Sequence, residues 1–174
     1  PLGRKIRNYV IPDSVVEIGD DAFRLCESLR HISFPIGLRR IGEDAFGNCI
    51  SLQELQLPDG IDAIQKNTFR YCEALKSIKL PKHLKIIGEG AFFCCDSLQS
   101  LSLPPSVKMI DMYSLPMELK ELHLAYKDPQ KAAPGFYSQS FDQSDFILYV
   151  PKGLKDKYEK DDFWGRFEKI EEEP

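Results

Sequence analysis

Apolar and polar positions along most of this chain follow one pattern that recurs every 23 residues. Four consecutive copies align without gaps, and they span residues 12–34, 35–57, 58–80 and 81–103. The same columns hold isoleucine, phenylalanine, cysteine and leucine in each copy, as at Ile41, Phe46, Cys49 and Leu52 in the second. A fixed period of this length is typical of a solenoid, because a single unit cannot bury its apolar face and stacked units can.

Each copy predicts the same local structure. Its last residues alternate between apolar and polar, as from Leu52 to Leu57, which is typical of a short strand with one buried face. Earlier in the copy, Asp44 precedes an Ala-Phe pair, and we expect Asp44 to be the N-cap of a single helical turn. Gly42 is expected to adopt a positive φ. The same expectations apply to the equivalent residues of other copies, namely Asp21, Asn67, Gly19 and Gly88.

The repeated sequence I-G-x-x-A-F-x-x-C-x-x-L-x-x-[IL]-x-[FL]-P resembles the BspA-like class of leucine-rich repeats, over about residues 6–124. Residues 148–158, followed by Trp164 and Phe167, resemble the C-terminal cap of those bacterial proteins. The resemblance implies an α/β solenoid, which is a leucine-rich-repeat stack of short parallel strands with short helical turns and a C-terminal cap. It also implies a secreted or cell-surface bacterial protein that takes part in adhesion to host or bacterial surfaces.

The period divides the chain into two predicted parts. Residues 4–124 are expected to form the solenoid, and residues 125–174 are expected to cap it. The units of the solenoid are a partial repeat and five repeats, at 4–11, 12–34, 35–57, 58–80, 81–103 and 104–124. The partial repeat supplies only the strand half of a unit and lacks the polar outer face of a cap. Further repeats upstream are therefore favoured over a minimal N-terminal cap.

The C-terminal part has its own predicted elements. A strand is expected at 146–150 and a short helix at 154–160, and Ser140-Phe141 echoes the Ala-Phe pair of the repeats. Three large apolar residues then follow at a spacing of three, namely Trp164, Phe167 and Ile170. They are interpreted either as a ligand-binding face or as a lid over the last strand. The lid is favoured, because an open solenoid end would expose the edge of an apolar sheet.

The composition narrows the range of partners. The 174 residues are 43% hydrophobic and 29% charged, and the net charge is −4. This mild acidity disfavours nucleic acid as a partner. No apolar run approaches the ~20 residues that cross a bilayer as a helix, so no transmembrane segment is predicted in this chain.

Four of the five cysteines belong to the repeat, and Cys94 is additional. The four share one column, and they are Cys26, Cys49, Cys72 and Cys95. Disulfides or a metal site are possible interpretations, since neighbouring layers of such a stack lie about 4.8 Å apart. A column of small buried hydrophobic side chains is favoured, because no Cys-x-x-Cys spacing occurs. Cys94 is expected to point away from the core.

No catalytic set is found in the sequence. His31 and His123 belong to strands four repeats apart, and His83 follows a proline in a turn, so all three are expected to be solvated surface residues. No phosphate-binding glycine loop or HExxH pattern occurs. We predict that the chain is not an enzyme and uses no cofactor or metal. The acidic run Glu171–Glu173 is expected to be a solvated tail.

The outward positions of the strands form the predicted binding surface. Their chemistry changes from repeat to repeat, whereas the buried columns barely vary. They are Arg30, His31, Ser33, Gln53, Glu54, Gln56, Lys76, Ser77, Lys79, Gln99, Ser100, Ser102, Lys120, Glu121 and His123. Solenoids use extended surfaces of this kind to bind partners, and a protein or glycan partner is predicted here. The alternative is a structural spacer or scaffold within a longer multi-repeat surface protein.

Overall fold

A computed structural model describes residues 5–111, 113–131 and 146–174. The strands in these ranges are, in chain order, β1 (Asn8–Val10), β2 (Glu17–Ile18), β3 (His31–Ser33), β4 (Arg40–Ile41), β5 (Glu54–Gln56), β6 (Ala63–Ile64), β7 (Ser77–Lys79), β8 (Ile86–Ile87), β9 (Ser100–Leu103), β10 (Met109–Ile110), β11 (Glu121–Leu124), β12 (Ile147–Val150) and β13 (Ile170–Glu172). The helical elements of the same ranges are α1 (Lys155–Glu159) and two 3-10 turns, Pro129–Lys131 and Trp164–Arg166.

The longer strands stack side by side in parallel and form the main sheet of the solenoid. β1 pairs with β3, β5 pairs with β7, and β9, β11, β12 and β13 pair in that order, while β3 lies against β5 and β7 against β9. The register joins equivalent residues of consecutive repeats, as in Tyr9 with Ile32 and Leu55 with Ile78. One sequence period therefore contributes one strand to the main sheet. We call each such period, with its strands and turns, a rung. The predicted stack of short parallel strands is confirmed.

A second row of two-residue strands runs beside the main sheet. β2 pairs with β4, and β6, β8 and β10 pair in that order, again in parallel. The isoleucine column of the repeat lies in this row, so that Ile64, Ile87 and Ile110 pair in register and are all buried. The two rows enclose the core from two sides.

The turns between the two rows supply a third set of hydrogen bonds between rungs. The Phe23 N–H donates to the Ala45 carbonyl (2.7 Å), and the Phe46 N–H donates to the Thr68 carbonyl (2.9 Å). The Phe69 N–H donates to the Ala91 carbonyl in the same way (3.0 Å). The backbone of each turn is thus held by the next rung, and the same small set of bonds repeats along the stack.

The predicted N-caps are wrong. Asp21, Asp44 and Asn67 have φ of 55°, 50° and 55°, in the left-handed region, whereas an N-cap residue has an extended φ. Asp and Asn tolerate the left-handed conformation better than most residues do. Their segments are successive tight turns rather than capped helical turns. The repeat therefore has Asp or Asn at this position because the backbone there is left-handed, not because a helix needs a cap.

The predicted positive φ of Gly19, Gly42 and Gly88 is also wrong, because Gly90 and Gly153 are the glycines with positive φ among the described residues. Gly42 serves a different purpose. A Cβ at Gly42 would lie 2.7 Å from the Gly19 carbonyl carbon of the preceding rung. The absence of a side chain is what lets these two rungs approach each other.

The core is a set of continuous columns along the stack. The rings of Phe23, Phe46, Phe69 and Phe92 stack with nearly parallel planes, and successive centroids lie 5.0, 5.6 and 5.6 Å apart. The last three of these rings are fully buried. Each of these four repeats therefore contributes one ring, and the inner rings of Phe46 and Phe69 contact a ring of the column on both sides. The apolar columns of the sequence form this core.

The C-terminal part continues the main sheet instead of ending it. The strand predicted at 146–150 is β12, which pairs with β11, and the predicted helix contains α1. The acidic run was predicted to be a solvated tail, and that is wrong, because β13 pairs with β12 in parallel. Glu172 also accepts hydrogen bonds from the backbone N–H groups of Gly153 and Lys155, at 2.9 and 3.2 Å. These bonds lower the pKa of the Glu172 carboxyl. Ser140-Phe141 lies outside the described residues.

Trp164 and Phe167 are buried beside Phe146 and Tyr158. The Phe167 ring lies 5.3 Å from that of Phe146, and the Trp164 ring lies 6.1 Å from that of Tyr158. The Trp164 indole N–H donates to the Pro129 carbonyl at 3.1 Å. This packing supports the interpretation of the aromatic set as a lid. The division at residue 124 stays a prediction, since the main sheet runs on across it.

Candidate binding surface on the strands

Ten of the fifteen predicted binding residues alternate along one side of the main sheet, and the other five directly precede its strands; we call the fifteen together the strand face. Twelve of them are exposed, and Gln53, Glu121 and His123 are half-buried. The residues that alternate with them point into the core, and Leu55 and Leu101 among these are 5% and 1% exposed. The strand alternation therefore separates a uniform core from a variable surface.

Within the strands, parallel register brings ten of the predicted residues into two columns. Glu54 lies opposite Ser77, and Gln56 lies opposite Lys79. Farther along the stack, Ser100 and Ser102 lie opposite Glu121 and His123. Neighbouring positions in a column are about 4.8 Å apart, which is the spacing of strands in a sheet. A partner on this surface would contact residues from several repeats at once.

A groove adjoins the strand face at the carboxyl ends of β3, β5 and β7. Its volume is ≈ 520 Å³, and Ser33, Gln56 and Lys79 of the strand face line it. The other residues that line it are Ile32, Phe34, Ile36, Leu57, Pro58, Asp59, Leu80 and Lys82. Ile36 is 90% exposed, which makes it an accessible apolar group beside polar side chains of both charges.

Sequence reasoning missed Ile36, although a signal was present. The position after the repeated proline is otherwise polar or proline, and its occupants are Asp13, Ile36, Asp59, Lys82 and Pro105. An isoleucine at this turn position is exposed to solvent and does not contribute to the core. A search for apolar residues in the polar columns of the repeat would have found it.

His123 occupies the far end of the strand face and is not the free surface histidine that we predicted. Its ring stacks on Tyr149, with centroids 4.5 Å apart and planes 5° apart. Its Nδ1 lies 2.8 Å from Glu173 Oε1, and its Nε2 lies 3.7 Å from Glu121 Oε2. The prediction failed because Glu173 was placed in a tail. His31 and His83 are exposed, as predicted.

Three of the repeated cysteines make well-defined contacts in the core. Cys49, Cys72 and Cys95 are fully buried, and each thiol donates to the phenylalanine carbonyl of the rung before it, at 3.2, 3.3 and 3.1 Å. The interpretation as a buried column is confirmed for them. No group of histidine, cysteine, aspartate and glutamate side chains that could hold a metal ion occurs in the described ranges.

Burial also controls the ionisation of these thiols. Loss of solvent raises the pKa of Cys49 to about 12, and it raises the pKa of Cys72 well above its ordinary value. Cys94 is half-buried, and its pKa is raised as well, chiefly by partial loss of solvent. The thiolate is the reactive form of cysteine, so the core thiols are both inaccessible and protonated at neutral pH.

This arrangement predicts an order of chemical labelling. At pH 8 a thiol-alkylating reagent should modify Cys94 in the folded protein, and it should reach Cys49, Cys72 and Cys95 only after unfolding, because these three are buried and protonated. Mass spectrometry of tryptic peptides with time provides the measurement. Cys94→Ser should remove the early labelling that occurs before the core thiols react. Modification of Cys72 as fast as that of Cys94 would contradict the buried column.

The described part of the chain contains no helix with the length and hydropathy needed to cross a membrane. A parallel stack of short strands, with one variable polar face and leucine, isoleucine and phenylalanine columns inside, defines a leucine-rich-repeat solenoid. The family model described as BspA type leucine rich repeat region matches residues 3–118 in six copies. Because the match covers more than half of the chain, this protein belongs to the BspA-type leucine-rich-repeat family. Members of such repeat families are generally non-catalytic.

Two solved structures illustrate the similarity. A leucine-rich repeat protein of T. pallidum is 35% identical with a TM-score of 0.67, and the match covers 71% of this chain and 60% of that one. The pneumococcal vaccine antigen PcpA is 21% identical with a TM-score of 0.80, and the match covers 98% of this chain and 42% of that one. This chain therefore spans less than two thirds of either protein. A search of curated proteins found no match.

Proposed function

We propose that this chain is a non-catalytic binding module, and that it recognises a protein through the strand face and the adjoining groove. The observation that carries the proposal is the continuity of the two surfaces. Ser33, Gln56 and Lys79 belong to the strand face and also line the groove that contains the exposed Ile36. An accessible apolar group surrounded by polar side chains is the usual composition of a recognition site.

The chemistry of the groove favours a protein over a glycan. Ile36 offers an apolar anchor, and Asp59 and Lys82 offer charges of opposite sign on the same groove. A protein surface can match such a combination with an apolar side chain and complementary charges. Sugars stack on exposed rings, whereas Phe34, the aromatic residue among those that line this groove, is half-buried and packs edge-on against Phe46. A glycan partner is the second outcome that the experiment below distinguishes.

We place the module in a secreted or cell-surface protein with a role in adhesion. Support for this comes from the repeat family, since the BspA-like class includes secreted and surface proteins of bacteria. A nucleic-acid partner is not expected, because the net charge is −4 and electrostatic attraction to phosphates needs a basic surface. Surface labelling of intact cells with an antibody against the chain would test the location, and a signal confined to permeabilised cells would contradict it.

The test of function is capture of partners from host extracellular matrix and mucus. A variant in which Lys76, Lys79, Gln99 and Glu121 are all alanine should lose the partner that the wild type captures, since these residues lie on the strand face. It should remain folded, because Lys76, Lys79 and Gln99 are exposed and Glu121 is half-buried, and substitutions of surface residues usually change the unfolding free energy by less than about 0.5 kcal/mol each. The matched control replaces two lysines, a glutamine and a glutamate outside the strand face, namely Lys85, Lys108, Gln130 and Glu118, which are all exposed.

A second pair of variants tests the groove. Ile36→Asp should weaken capture about 30-fold or more if Ile36 is an anchor of the interface, whereas Val16→Asp should have little effect. Val16 is a suitable control, because it is 60% exposed and does not line the groove. Capture that is resistant to protease treatment of the matrix but lost after glycosidase treatment would replace the protein partner with a glycan.

The structural spacer remains the alternative function. It is supported by the backbone hydrogen bonds that join successive rungs in the strands and turns, which stiffen the stack. If the wild type, the strand-face variant and the control variant all capture nothing, the spacer interpretation is favoured and the binding proposal fails for this chain.

A further inference from the structure

A second pocket lies away from the strand face, on the turns of the third to fifth repeats. Its volume is ≈ 260 Å³. It is lined by Asn67, Arg70, Glu89, Gly90, Phe93 and Tyr113, none of which belongs to the strand face or its groove. The volume lies slightly below the range of about 300–1,000 Å³ for drug-sized ligands, so a small compact group fits it.

Two aromatic rings, Phe93 and Tyr113, line this pocket, and the Tyr71 ring packs against Phe93. The Tyr71 and Phe93 rings are 5.9 Å apart at 85°, and the Phe93 and Tyr113 rings are 6.4 Å apart at 83°. The Arg70 guanidinium carbon lies 4.9 Å from the Tyr71 centroid and 5.4 Å from the Phe93 centroid. Stacking on these rings holds the guanidinium in one orientation.

Arg70 lacks a full set of hydrogen-bond partners among the described residues. Its Nε is buried and has no hydrogen-bond partner among the described residues, and one terminal nitrogen donates weakly to the Tyr71 hydroxyl at 3.4 Å. Arg24 and Arg40, by contrast, bond carboxylates at 3.0 and 2.6 Å. A guanidinium has five donors, and a buried donor without a partner is costly. The buried Nε is out of reach of a ligand, but Arg70 lines the pocket, so its terminal N–H groups can donate to an acceptor from outside the chain.

The remaining residues of the pocket supply oxygen acceptors, and Gly90 leaves open space beside them. Glu89 Oε2 lies 2.8 Å from Lys66 Nζ. The other carboxylate oxygen can therefore accept a hydrogen bond from a hydroxyl group. Gly90 has a φ of 63°, and a Cβ there would overlap the Asn67 side-chain oxygen. A side chain at Gly90 would thus fill the space beside the Asn67 amide.

We propose that this pocket binds an acidic sugar, meaning a hydroxylated ring that carries one carboxylate. The carboxylate would accept paired hydrogen bonds from Arg70, which is the geometry that a guanidinium provides. The ring would rest against Tyr113, which is 60% exposed, and its hydroxyls would bond Asn67 and Glu89. A peptide carboxylate would satisfy Arg70 but would bring no hydroxyl donors to Glu89. The site is separate from the one under Proposed function and does not depend on it.

The pocket is a local feature of the stack and not a consequence of the repeat. The columns that hold Arg70 and Tyr71 hold Arg24 and Leu25 two repeats earlier. The residue after Arg24 is Leu25 and not an aromatic residue, and the Arg24 guanidinium pairs with the Asp21 carboxylate. Arg24 therefore provides a matched control, since it occupies the same position of the repeat without the aromatic array.

The test is calorimetric titration of the whole chain with N-acetylneuraminic acid and with glucuronic acid. Galactose serves as the neutral sugar, and N-acetylphenylalanine serves as a carboxylate on an aromatic amino acid. We expect the acidic sugars to bind the wild type, and Arg70→Gln to weaken that binding about tenfold to a hundredfold through loss of charged hydrogen bonds. Arg24→Gln should leave binding unchanged, and so confirm that the effect is not one of net charge.

Each other outcome overturns the proposal. Equal binding of galactose would show that the carboxylate is not recognised, and tighter binding of N-acetylphenylalanine would assign the pocket to peptides. Equal weakening by Arg24→Gln would indicate a general charge effect. Absence of heat from both acidic sugars in the folded wild type would exclude them as ligands. Tyr113→Ala is a second variant that keeps Arg70, and unchanged affinity for that variant would contradict ring stacking on Tyr113.

Discussion

Replacing Phe69 with alanine is expected to lower the free energy of unfolding by about 3–5 kcal/mol, which is the usual cost of truncating a fully buried phenylalanine. Phe69 is 0% exposed, and its ring stacks between those of Phe46 and Phe92, each 5.6 Å away. The truncation would leave a gap in the middle of the ring column and remove two ring contacts. Aromatic pairs contribute about 0.5–1.5 kcal/mol each beyond the area they bury, which favours the upper part of the range.

The matched control for this variant is Lys79→Ala on the strand face. Lys79 is exposed and lies close in the sequence, so its replacement should change the unfolding free energy by less than about 0.5 kcal/mol. Thermal unfolding followed by circular dichroism measures both, and for a chain of this size 1 kcal/mol corresponds to about 2–4 °C. Equal shifts of the melting temperature for the two variants would contradict the observed strand register.

The period of the sequence was enough to predict the sheet and the core. Residues 23 apart, such as Leu55 and Ile78, pair in register because stacking identical units places identical columns next to each other. The alternation within each strand also predicted which residues are exposed. The backbone of the turns was not predictable in the same way, since Asp44 suits both an N-cap and a left-handed residue. The choice depends on hydrogen bonds to the neighbouring rung.

Apart from Ile36, the features that sequence reasoning missed depend on contacts between different repeats or lie outside the periodic part. The Arg70 pocket combines side chains of three rungs, and no single repeat contains its pattern. The acidic sequence of β13 suggested a solvated tail. It forms a strand because the edge of β12 is available for pairing. Once β13 is in place, Glu173 reaches His123, which explains the half-buried histidine at the end of the strand face.

The edge of β13 raises the question of what stabilises the last rungs, and Trp164→Ala addresses it. We expect this variant to lower the free energy of unfolding by about 3–5 kcal/mol, as for other large buried aromatic residues. Trp164 is 2% exposed, and its indole N–H donates to the Pro129 carbonyl. Its ring also packs against Phe163 and Phe167, with centroids 4.9 and 5.8 Å away. Arg166→Ala, at an exposed position of the same 3-10 turn, is the control.

The location of the loss distinguishes the two interpretations of the aromatic set. In a solenoid each rung contacts only its neighbours, so removal of a lid should release the end of the stack first. Hydrogen exchange should therefore show lost protection in β12 and β13, while β3 to β7 retain theirs. If Trp164 instead belonged to a ligand-binding face, its replacement would leave both stability and exchange unchanged. A fall in stability that is spread evenly over all strands would mean that the whole stack unfolds as one unit, and that the C-terminal region is part of the common core.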